Sequence, residues 1–364
     1  MKKLFLFFST LGSTPSKTVG AAAVLIAFAG IASRFLGFIR DRVLASQFGA
    51  GDVLDAYYTA FRLPDLVYGF LVLGALSAAF VPVFTELVTQ EKKEEAWRLT
   101  SGVLHTTLFS IGCFSVLGIL FASVITDFLA PGFNPEKKEL VTELTRIMLL
   151  APFFLSASAV FGGVLVSFKQ FAAYSFAPVF YNIGIILGAL FLAPMFGPDG
   201  LAWGVVLGSF FHLGIQYPAM YRAGFRYQWG LLTAWKDENV RRVLKLMVPR
   251  SLGMAVNQVS LLVMTIFAST LVSGSLAAFT LANNIQSVPL GLFGIAFSLA
   301  VFPALASFAA KKKDKDFFLM FAETGRKILF FFFPLSIFII IFRALCFRVI
   351  LGSGHFDCQV SFPT

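Results

Sequence analysis

The sequence predicts an all-α polytopic membrane protein with about nine transmembrane helices, in which two parallel-repeat helical lobes surround a central cavity and the second lobe is incomplete. The first observation is composition: 58% of the 364 residues are hydrophobic, 13% are charged, and the mean hydropathy is +0.83. A soluble domain carries about 25% charged residues. The second is that apolar runs long enough to cross a bilayer recur along the whole chain. The third is an internal repeat.

The apolar runs and the breaker residues between them define the predicted spans. The spans cover residues 19–40, 64–88, 100–128, 143–167, 176–196, 199–222, 243–272, 277–308 and 326–350. The predicted organisation is an N-terminal tail (1–18), a first lobe with helices one to six (19–228), an inter-lobe cytoplasmic linker (229–242), a partial second lobe with helices seven to nine (243–350) and an atypical tail (351–364). The N-terminal tail has a basic tip but no small-residue cleavage site, which favours a cytoplasmic or interfacial segment over a signal peptide.

The net charge of +10 is explained by membrane topology rather than by nucleic-acid binding. Lys and Arg are concentrated in the N-terminal tail and in the loops after the even-numbered spans, whereas the loops after spans five and seven carry neither. Because positive residues collect on the cytoplasmic side of membrane proteins, we expect a multi-pass protein with a cytoplasmic N-terminus. No soluble segment has an Arg-rich face with interleaved aromatic residues, which argues against nucleic acid as a partner.

Two short motifs of the first spans return in spans seven and eight. SRFLG (33–37) recurs as PRSLG (249–253), and SAAFVP (77–82) recurs as SLAVFP (298–303). Because an even number of spans separates the copies, both have the same orientation, so the repeat is parallel and its axis lies along the membrane normal. Two related halves with a binding site between them are typical of transporters.

The repeat places Arg34 of span one opposite Arg250 of span seven. A charge within a bilayer is costly and usually faces a bundle interior or a water-filled cavity, although an arginine near a helix end can also extend to the interface. Arginine suits phosphate because its planar guanidinium binds two oxygens at once. We therefore predict that both arginines bind an anion in the central cavity, with an interfacial position of Arg34 as the alternative.

Other charged residues cluster after Arg34. Asp41 lies about 700° further along the helix, which returns it to the same face, where it is predicted to pair with Arg34 or to tune it. Arg40 lies about 120° round from Arg34 and can line a broad cavity. Asp55 is either a loop residue or a counter-charge that gates the arginines, and Arg62 is either a helix-start residue or a further cavity ligand.

The remaining polar residues indicate no catalytic chemistry. Asn284 in span eight either hydrogen-bonds between helices or faces the cavity. Cys113, Cys346 and Cys358 have no metal-ligand spacing, so neither a metal nor a cofactor is predicted. The sequence contains no GxxxxGK[ST], no HExxH and no plausible Ser/His/Asp set, so we expect no enzyme and no P-loop ATP binding. Transport would then be driven by an ion gradient or by the membrane potential.

Several longer segments are recognisable. These are SRFLGFIRD (33–41), FGAGDVLDAYYTAFRLPDL (48–66), ALSAAFVPVFTE (75–86) and the stretch from NQVSLL to PALAS (257–307). From about residue 17 to about residue 357 the chain resembles the MurJ (MviN) family of lipid II flippases, within the multidrug/oligosaccharidyl-lipid/polysaccharide exporter superfamily. The resemblance implies a bacterial inner-membrane protein that moves lipid-linked peptidoglycan precursor (lipid II) from the inner to the outer leaflet by alternating access. It also implies lipid II, membrane lipids and the cell-wall synthesis machinery as partners.

The resemblance carries residue roles with it. In the family, arginines of a central cationic cavity bind the diphosphate and sugar. By motif, Arg34 and Arg40 match cavity arginines, Asp41 and Asp55 match acidic positions, and Arg62 matches a basic one.

The sequence also departs from the family pattern. Tyr68 stands where a basic residue is frequent, Leu73 where an acidic one is frequent, and Asn284 where some members have arginine. Arg250 is predicted to compensate, because the repeat sets it opposite Arg34. These departures put the detailed charge layout in doubt.

Length is the largest departure from the family. Members have fourteen helices, whereas this sequence loses the family character after Asp357, which favours a C-terminally truncated copy. Two alternatives to a flippase stay open at this point. One is an exporter of another lipid-linked saccharide or of drugs, and the other is a non-transporting remnant that only binds lipid or a partner.

Overall fold

The computed structural model of the protein describes residues 19–71, 75–228, 230, 235–343 and 345. Within these ranges the regular secondary structure is helical throughout, which confirms the predicted all-α class. Both predicted tails, 1–18 and 351–364, lie outside the described residues. The domain boundaries given above remain predictions, so the two parts of the chain are called here the N-terminal half (residues 19–228) and the C-terminal half (residues 235–345).

The N-terminal half contains helices α1 to α12. Their bounds are α1 Val19–Phe48, α2 Asp52–Ala60, α3 Arg62–Leu71, α4 Ala75–Thr89, α5 Lys93–Leu120, α6 Ala122–Leu129, α7 Pro135–Met148, α8 Ala151–Ser167, α9 Phe171–Leu187, α10 Ala193–Phe196, α11 Asp199–Gly214 and α12 Tyr217–Arg222. A π-helical segment, Gly188–Leu192, connects α9 to α10.

The C-terminal half contains helices α13 to α16. Their bounds are α13 Glu238–Ser269, α14 Ser275–Pro289, α15 Ala296–Ala310 and α16 Asp314–Ile341. A second π-helical segment, Leu290–Ile295, connects α14 to α15. Helix α13 starts inside the predicted linker 229–242, because Oδ1 of Asp237 accepts hydrogen bonds from the backbone N–H groups of Asn239 (2.9 Å) and Val240 (3.3 Å) and so caps the helix there.

Among the described residues, four helical segments are long and apolar enough to cross a membrane by length and composition. They are Lys93–Leu120, Pro135–Ser167, Phe171–Phe196 and Asp314–Ile341, which overlap the third, fourth, fifth and ninth predicted spans. The second predicted span, 64–88, falls on α3 and α4, with residues 72–74 between them outside the described part. The count of nine spans therefore remains a prediction.

Helix α1 continues beyond the predicted limit of span one at residue 40 and ends at Phe48. The charges at its far end do not terminate the helix. Asp41, Leu44 and Ala45 are buried there, so the segment packs inside the protein rather than emerging into water.

Helices α9 and α11 pack through facing glycines. Gly184 and Gly188 stand on one helical path and meet Gly208 and Gly204 respectively on the other, and a Cβ built on either Gly184 or Gly188 would lie 2.2 Å from a backbone atom of its partner. Only glycine permits this approach. In membranes, helices associate through such close small-residue contacts because water does not drive apolar surfaces together there.

The C-terminal half joins the N-terminal half through two apolar clusters. Val240, Val243 and Met247 of α13 belong to a cluster that is centred on Phe80 and Phe84 of α4. A second cluster combines α1, α2, α7, α9 and α11 with four residues of α14: Leu276, Ala277, Leu281 and Ile285. Helix α16, in contrast, has no buried residue. The contacts of α13 and α14 thus fix how the two halves lie against each other.

Candidate functional site

The charged segment of α1 lies inside the protein. Arg40 donates hydrogen bonds from Nε (3.0 Å) and Nη2 (2.8 Å) to Oδ1 of Asp41, and from Nη1 to Oδ1 of Asn182 on α9 (3.0 Å). Asn284 of α14 donates to Oδ2 of Asp41 (2.9 Å). Asp41 is therefore paired with its sequence neighbour Arg40, where the helical spacing predicted Arg34. The network holds the Arg40 guanidinium in a fixed orientation and joins α1 to α9 and α14.

A cavity of about 240 Å³ opens between the two halves next to this network. The N-terminal half contributes aromatic, basic and acidic side chains to it, and the C-terminal half contributes uncharged ones. The lining residues are Arg40, Tyr57, Tyr58, Phe61, Arg62, Asp65, Leu261, Phe279, Thr280, Asn283 and Asn284. Three of the predicted ligands, Arg40, Arg62 and Asn284, are thus brought together.

Arg62 connects the halves across this cavity. Its Nε donates a hydrogen bond to Oγ1 of Thr265 on α13 (2.7 Å), and the Thr265 hydroxyl donates in turn to the carbonyl of Leu261 (2.9 Å). Thr265 is fully buried. This contact uses only Nε of Arg62, whose side chain also lines the cavity.

Arg34 and Arg250 are not among the described residues that line the cavity. Nη1 of Arg34 donates to the carbonyl of Ser287 on α14 (3.3 Å), and its guanidinium lies against Gly291, where a Cβ would overlap it. Gly291 belongs to the π-helical segment that follows α14. Arg250 is an exposed residue of α13. The structure thus brings Arg34 to the C-terminal half, but to α14 rather than to Arg250.

A second polar cluster closes the contact between the halves at the start of α2; we call it the acidic junction. It consists of Asp52, Asp55, Lys137, Ser273, Gly274 and Ala277. Asp55 is 1% exposed, and its carboxylate accepts hydrogen bonds from the backbone N–H groups of Gly274 (2.7 Å) and Ala277 (2.8 Å). A carboxylate from the N-terminal half therefore caps the N-terminus of α14 and meets the positive end of its dipole.

Lys137, at the start of α7, completes the acidic junction. Its Nζ lies 2.7 Å from Oδ2 of Asp55 and 2.7 Å from Oδ1 of Asp52, and 3.9 Å from the centre of the Phe133 ring. Lys137 is 7% exposed, so it forms a buried ion pair with Asp55. The hydrogen bonds from Lys137 and from Ser273 hold the pKa of the more exposed Asp52 carboxyl below its usual range.

Gly274 allows the acidic junction to close. Its φ is +88°, in the left-handed region that favours glycine. A Cβ at this position would also lie 2.2 Å from the carbonyl oxygen of Ala50. Any side chain here would push α14 away from the loop before α2, and Asp55 would lose its two backbone donors.

Several residues of the cavity and of the acidic junction were not singled out by the sequence analysis. Lys137 stands in a polar stretch, PEKKEL, which gives no signal that one of its lysines is buried. Asp65 was visible in the LPDL segment but was not singled out, and Tyr58 and Thr280 carry no distinguishing pattern. Asn182 was the only polar residue of its apolar span from Phe176 to Leu192 apart from Tyr181, which could have marked it as a partner for a charge.

The family profile described as lipid II flippase MurJ matches residues 44–361. The chain belongs to the MurJ lipid II flippase family. The matched range contains Arg62, which lines the cavity, the exposed Arg250 and the whole acidic junction, whereas Arg34 and Arg40 precede it. This family is one of membrane transporters.

Curated relatives agree with this assignment. The chain is 34% identical over 278 residues to a protein named probable lipid II flippase MurJ from Buchnera aphidicola subsp. Acyrthosiphon pisum, covering 75% of this chain and 54% of the relative. It is 37% identical over 287 residues to the Haemophilus influenzae protein of the same name, covering 75% of this chain and 56% of the relative. The chain thus spans about half the length of these MurJ relatives.

Solved structures share the fold. A structure described as lipid II flippase MurJ in an inward closed conformation superposes with a TM-score of 0.77 at 25% identity, covering 92% of this chain and 68% of that one. A MOP superfamily transporter from Pyrococcus furiosus superposes with a TM-score of 0.62 at 16% identity, covering 97% of this chain and 77% of that one. The second match shows a common fold only.

Proposed function

We propose that this chain acts as a lipid II flippase, which moves the undecaprenyl-diphosphate-linked peptidoglycan precursor from the inner to the outer leaflet by alternating access. The observation that carries the proposal is an arginine-lined cavity between two halves of a MurJ-family chain, next to a junction that holds those halves together. The proposed partners are lipid II, membrane lipids and the cell-wall synthesis machinery. The proposed location is the bacterial inner membrane, with a cytoplasmic N-terminus.

The cavity chemistry supports an anionic ligand. Arg40 and Arg62 both line it, and the guanidinium fork matches the oxygens of a diphosphate. Arg40 is oriented by Asp41 and Asn182, so less entropy is lost when it binds an anion. Arg34 and Arg250 are proposed to join the substrate path in another state of the cycle, with Asn284 as a polar contact, while Asp41 holds Arg40.

The acidic junction supports alternating access. Asp55 connects the N-terminal half to the start of α14 through two backbone donors, and these contacts must break before the halves can separate at that end. The distribution of lysine and arginine supports an outer-face position for this end, because positive residues collect on the cytoplasmic side. We therefore propose Asp55 as the outer gate, closed in this structure. The membrane potential or an ion gradient supplies the energy.

Complementation tests this proposal. Cells depleted of their own flippase receive the wild-type chain, Arg34→Ala, Arg62→Ala or the matched control Arg242→Ala, whose guanidinium pairs with Glu86 on an exposed surface. We expect the two cavity-path variants to lose rescue and the control to retain it. Unchanged rescue by Arg34→Ala would remove that residue from the proposed path.

A lipid assay separates the alternatives. Lipid II in the outer leaflet is quantified in the same cells, and lipid II binding is measured on the purified chain. Binding without any increase in the outer leaflet would identify a non-transporting chain and would contradict the proposed activity. Transport of another lipid-linked saccharide in place of lipid II would retain the mechanism and change the substrate.

A further inference from the structure

Asp65 is a cavity carboxylate that the proposed function leaves without a role. It lies in the first turn of α3, one helical turn after Arg62, and lines the central cavity. Within the described part of the chain its carboxylate forms no hydrogen bond and no ion pair, whereas Asp41 has Arg40 and Asn284, and Asp55 has Lys137 and two backbone donors. Asp65 is therefore the cavity acid whose oxygens are open to a ligand.

Two further oxygens of the same cavity also lack partners among the described residues. The Tyr58 hydroxyl belongs to a side chain that is 6% exposed, and the Thr280 hydroxyl comes from α14 on the other side of the cavity. A buried hydroxyl without a hydrogen bond is costly, and a natural protein usually satisfies it. Carboxylate and hydroxyl oxygens are the donors that hard cations and protons take up.

The charges around the cavity favour a monovalent cation. Asp41 pairs with Arg40. Arg62 is one helical turn from Asp65 and attracts it, but the hydrogen bond of its Nε goes to Thr265, so among the described residues no cationic group is hydrogen-bonded to the Asp65 oxygens. An ionised carboxylate within a membrane protein is costly unless it pairs with a basic side chain, takes up a proton or binds a cation. Divalent sites usually collect several carboxylates, and here there is one. We propose that Asp65, with the hydroxyls of Tyr58 and Thr280, binds the coupling cation of this protein, either a proton or Na⁺.

This site would couple a cation to the anionic substrate. Ionised Asp65 repels an anion that binds at Arg62, and neutralising Asp65 removes that repulsion. By linkage, the anion must raise the affinity for the cation by the same factor, typically on the order of 10-fold. The coupling rests on the proposed function, whereas the cation site itself does not.

Several charged and titratable groups surround Asp65. They are Arg40 and Asp41 on α1, Tyr57 and Tyr58 on α2, Arg62 and Tyr68 on α3, and Tyr174 and Tyr181 on α9, with His212 of α11 behind the Tyr181 ring. Helices α13 and α14 contribute uncharged side chains to the cavity. Because several titratable groups lie near Asp65, a response to pH alone cannot identify this residue, and the comparison with Asp65→Asn is essential.

The test uses the full chain in nanodiscs, as wild type, as Asp65→Asn and as the matched control Asp127→Asn, whose carboxylate pairs with Lys138 outside the cavity. Thermal unfolding is recorded in NaCl and in choline chloride at equal ionic strength at pH 8, and in choline chloride at pH 5.5. Pyrophosphate binding is measured by calorimetry under the same three conditions.

We expect Na⁺ or low pH to raise the Tm of the wild type and of Asp127→Asn, and to strengthen pyrophosphate binding about 10-fold. Asp65→Asn should lose both responses and bind pyrophosphate tightly in choline chloride at pH 8. A higher Tm in NaCl than in choline chloride at pH 8 identifies Na⁺ as the ligand. A Tm that rises only when the pH of the choline chloride buffer falls to 5.5 identifies the proton. Equal responses in wild type and Asp65→Asn, or no response in the wild type, would overturn the proposal.

The two arms separate the two claims. If pyrophosphate binds to none of the proteins, the proposed function fails while the Tm series still decides the cation site. If Asp65→Asn does not fold, Tyr58→Phe removes one hydroxyl and keeps the ring. The rise in Tm caused by Na⁺ or by low pH should be at least several-fold smaller in Tyr58→Phe than in the wild type. An equal rise in both proteins would overturn the site.

Discussion

Asp55 and Asp65 lie on consecutive helices of the N-terminal half, and their carboxylates have opposite surroundings. Asp55 accepts two backbone N–H groups and a buried lysine at the acidic junction. Asp65 faces the cavity without a partner among the described residues. A buried carboxylate whose oxygens all accept hydrogen bonds stabilises one arrangement of the halves. A carboxylate without such partners is stabilised when it binds a proton or a cation. The same residue type is thus fully hydrogen-bonded in one place and, as proposed above, binds a cation in the other.

The largest effect is expected when the Asp55 carboxylate is removed from the acidic junction. Asp55→Ala leaves Lys137 buried with only Asp52 and leaves two N–H groups of α14 without acceptors. Removing one partner of a buried pair costs about 3–5 kcal/mol. We expect a large fall in Tm and, in cysteine-labelling experiments, access to the cavity from the side of the junction.

Asp127→Ala is the control for that experiment, because Asp127 pairs with Lys138 on the surface with its own side chain 63% exposed. It should change stability by less than about 1 kcal/mol. An Asp55→Ala protein as stable and as inaccessible to label as the control would contradict the assigned role of the junction.

Removing the lysine should have a smaller effect. Lys137→Met keeps the side-chain length and leaves Asp55 with its two backbone donors, so we expect about 1–3 kcal/mol of destabilisation. Chemical denaturation of both variants in the same detergent measures the difference. A cost equal to that of Asp55→Ala would show that the ion pair, and not the cap of α14, holds the halves together.

The sequence predicted the helices better than it predicted these contacts. Helix length and apolarity are local properties, so the class and most spans follow from them. Arg40 donates to Asn182, and Asn284 donates to Asp41. Both asparagines are far away in the chain, and no local pattern reveals these contacts. The same holds for Lys137.

The contact between α9 and α11, in contrast, is visible in the sequence from the spacing of its glycines. GIILG (184–188) and GVVLG (204–208) are visible in the sequence as pairs of glycines one helical turn apart, which is the known pattern of close helix contact. They could have predicted the α9–α11 contact. The π-helical segments Gly188–Leu192 and Leu290–Ile295 have no comparable signal, because they arise from the packing around them.

The next prediction concerns the cavity and tests the hydrogen bond between Arg62 and Thr265. Thr265→Val removes the hydroxyl that accepts the hydrogen bond from Nε of Arg62 and should cost about 1 kcal/mol. Thr270→Val is the control, because the Thr270 hydroxyl is exposed and donates only within its own helix. A double-mutant cycle with Arg62→Met isolates the pair, and additive costs would show that the contact contributes nothing.

The smallest effect is expected at Asp52, whose carboxylate is 57% exposed although it shares Lys137 with Asp55. Asp52→Asn should cost about 0.2–1 kcal/mol at neutral pH, as for other exposed pairs. The hydrogen bonds from Lys137 and Ser273 lower the pKa of Asp52 in the folded state. Its contribution is therefore present above the unfolded pKa of about 4 and is lost as the pH falls through the lower folded value. Unfolding free energies of wild type and variant should differ at pH 7 and converge below about pH 3. A difference that persists at low pH would mean that Asp52 acts by its shape rather than by its charge, and only Asp55 would then connect the junction to pH.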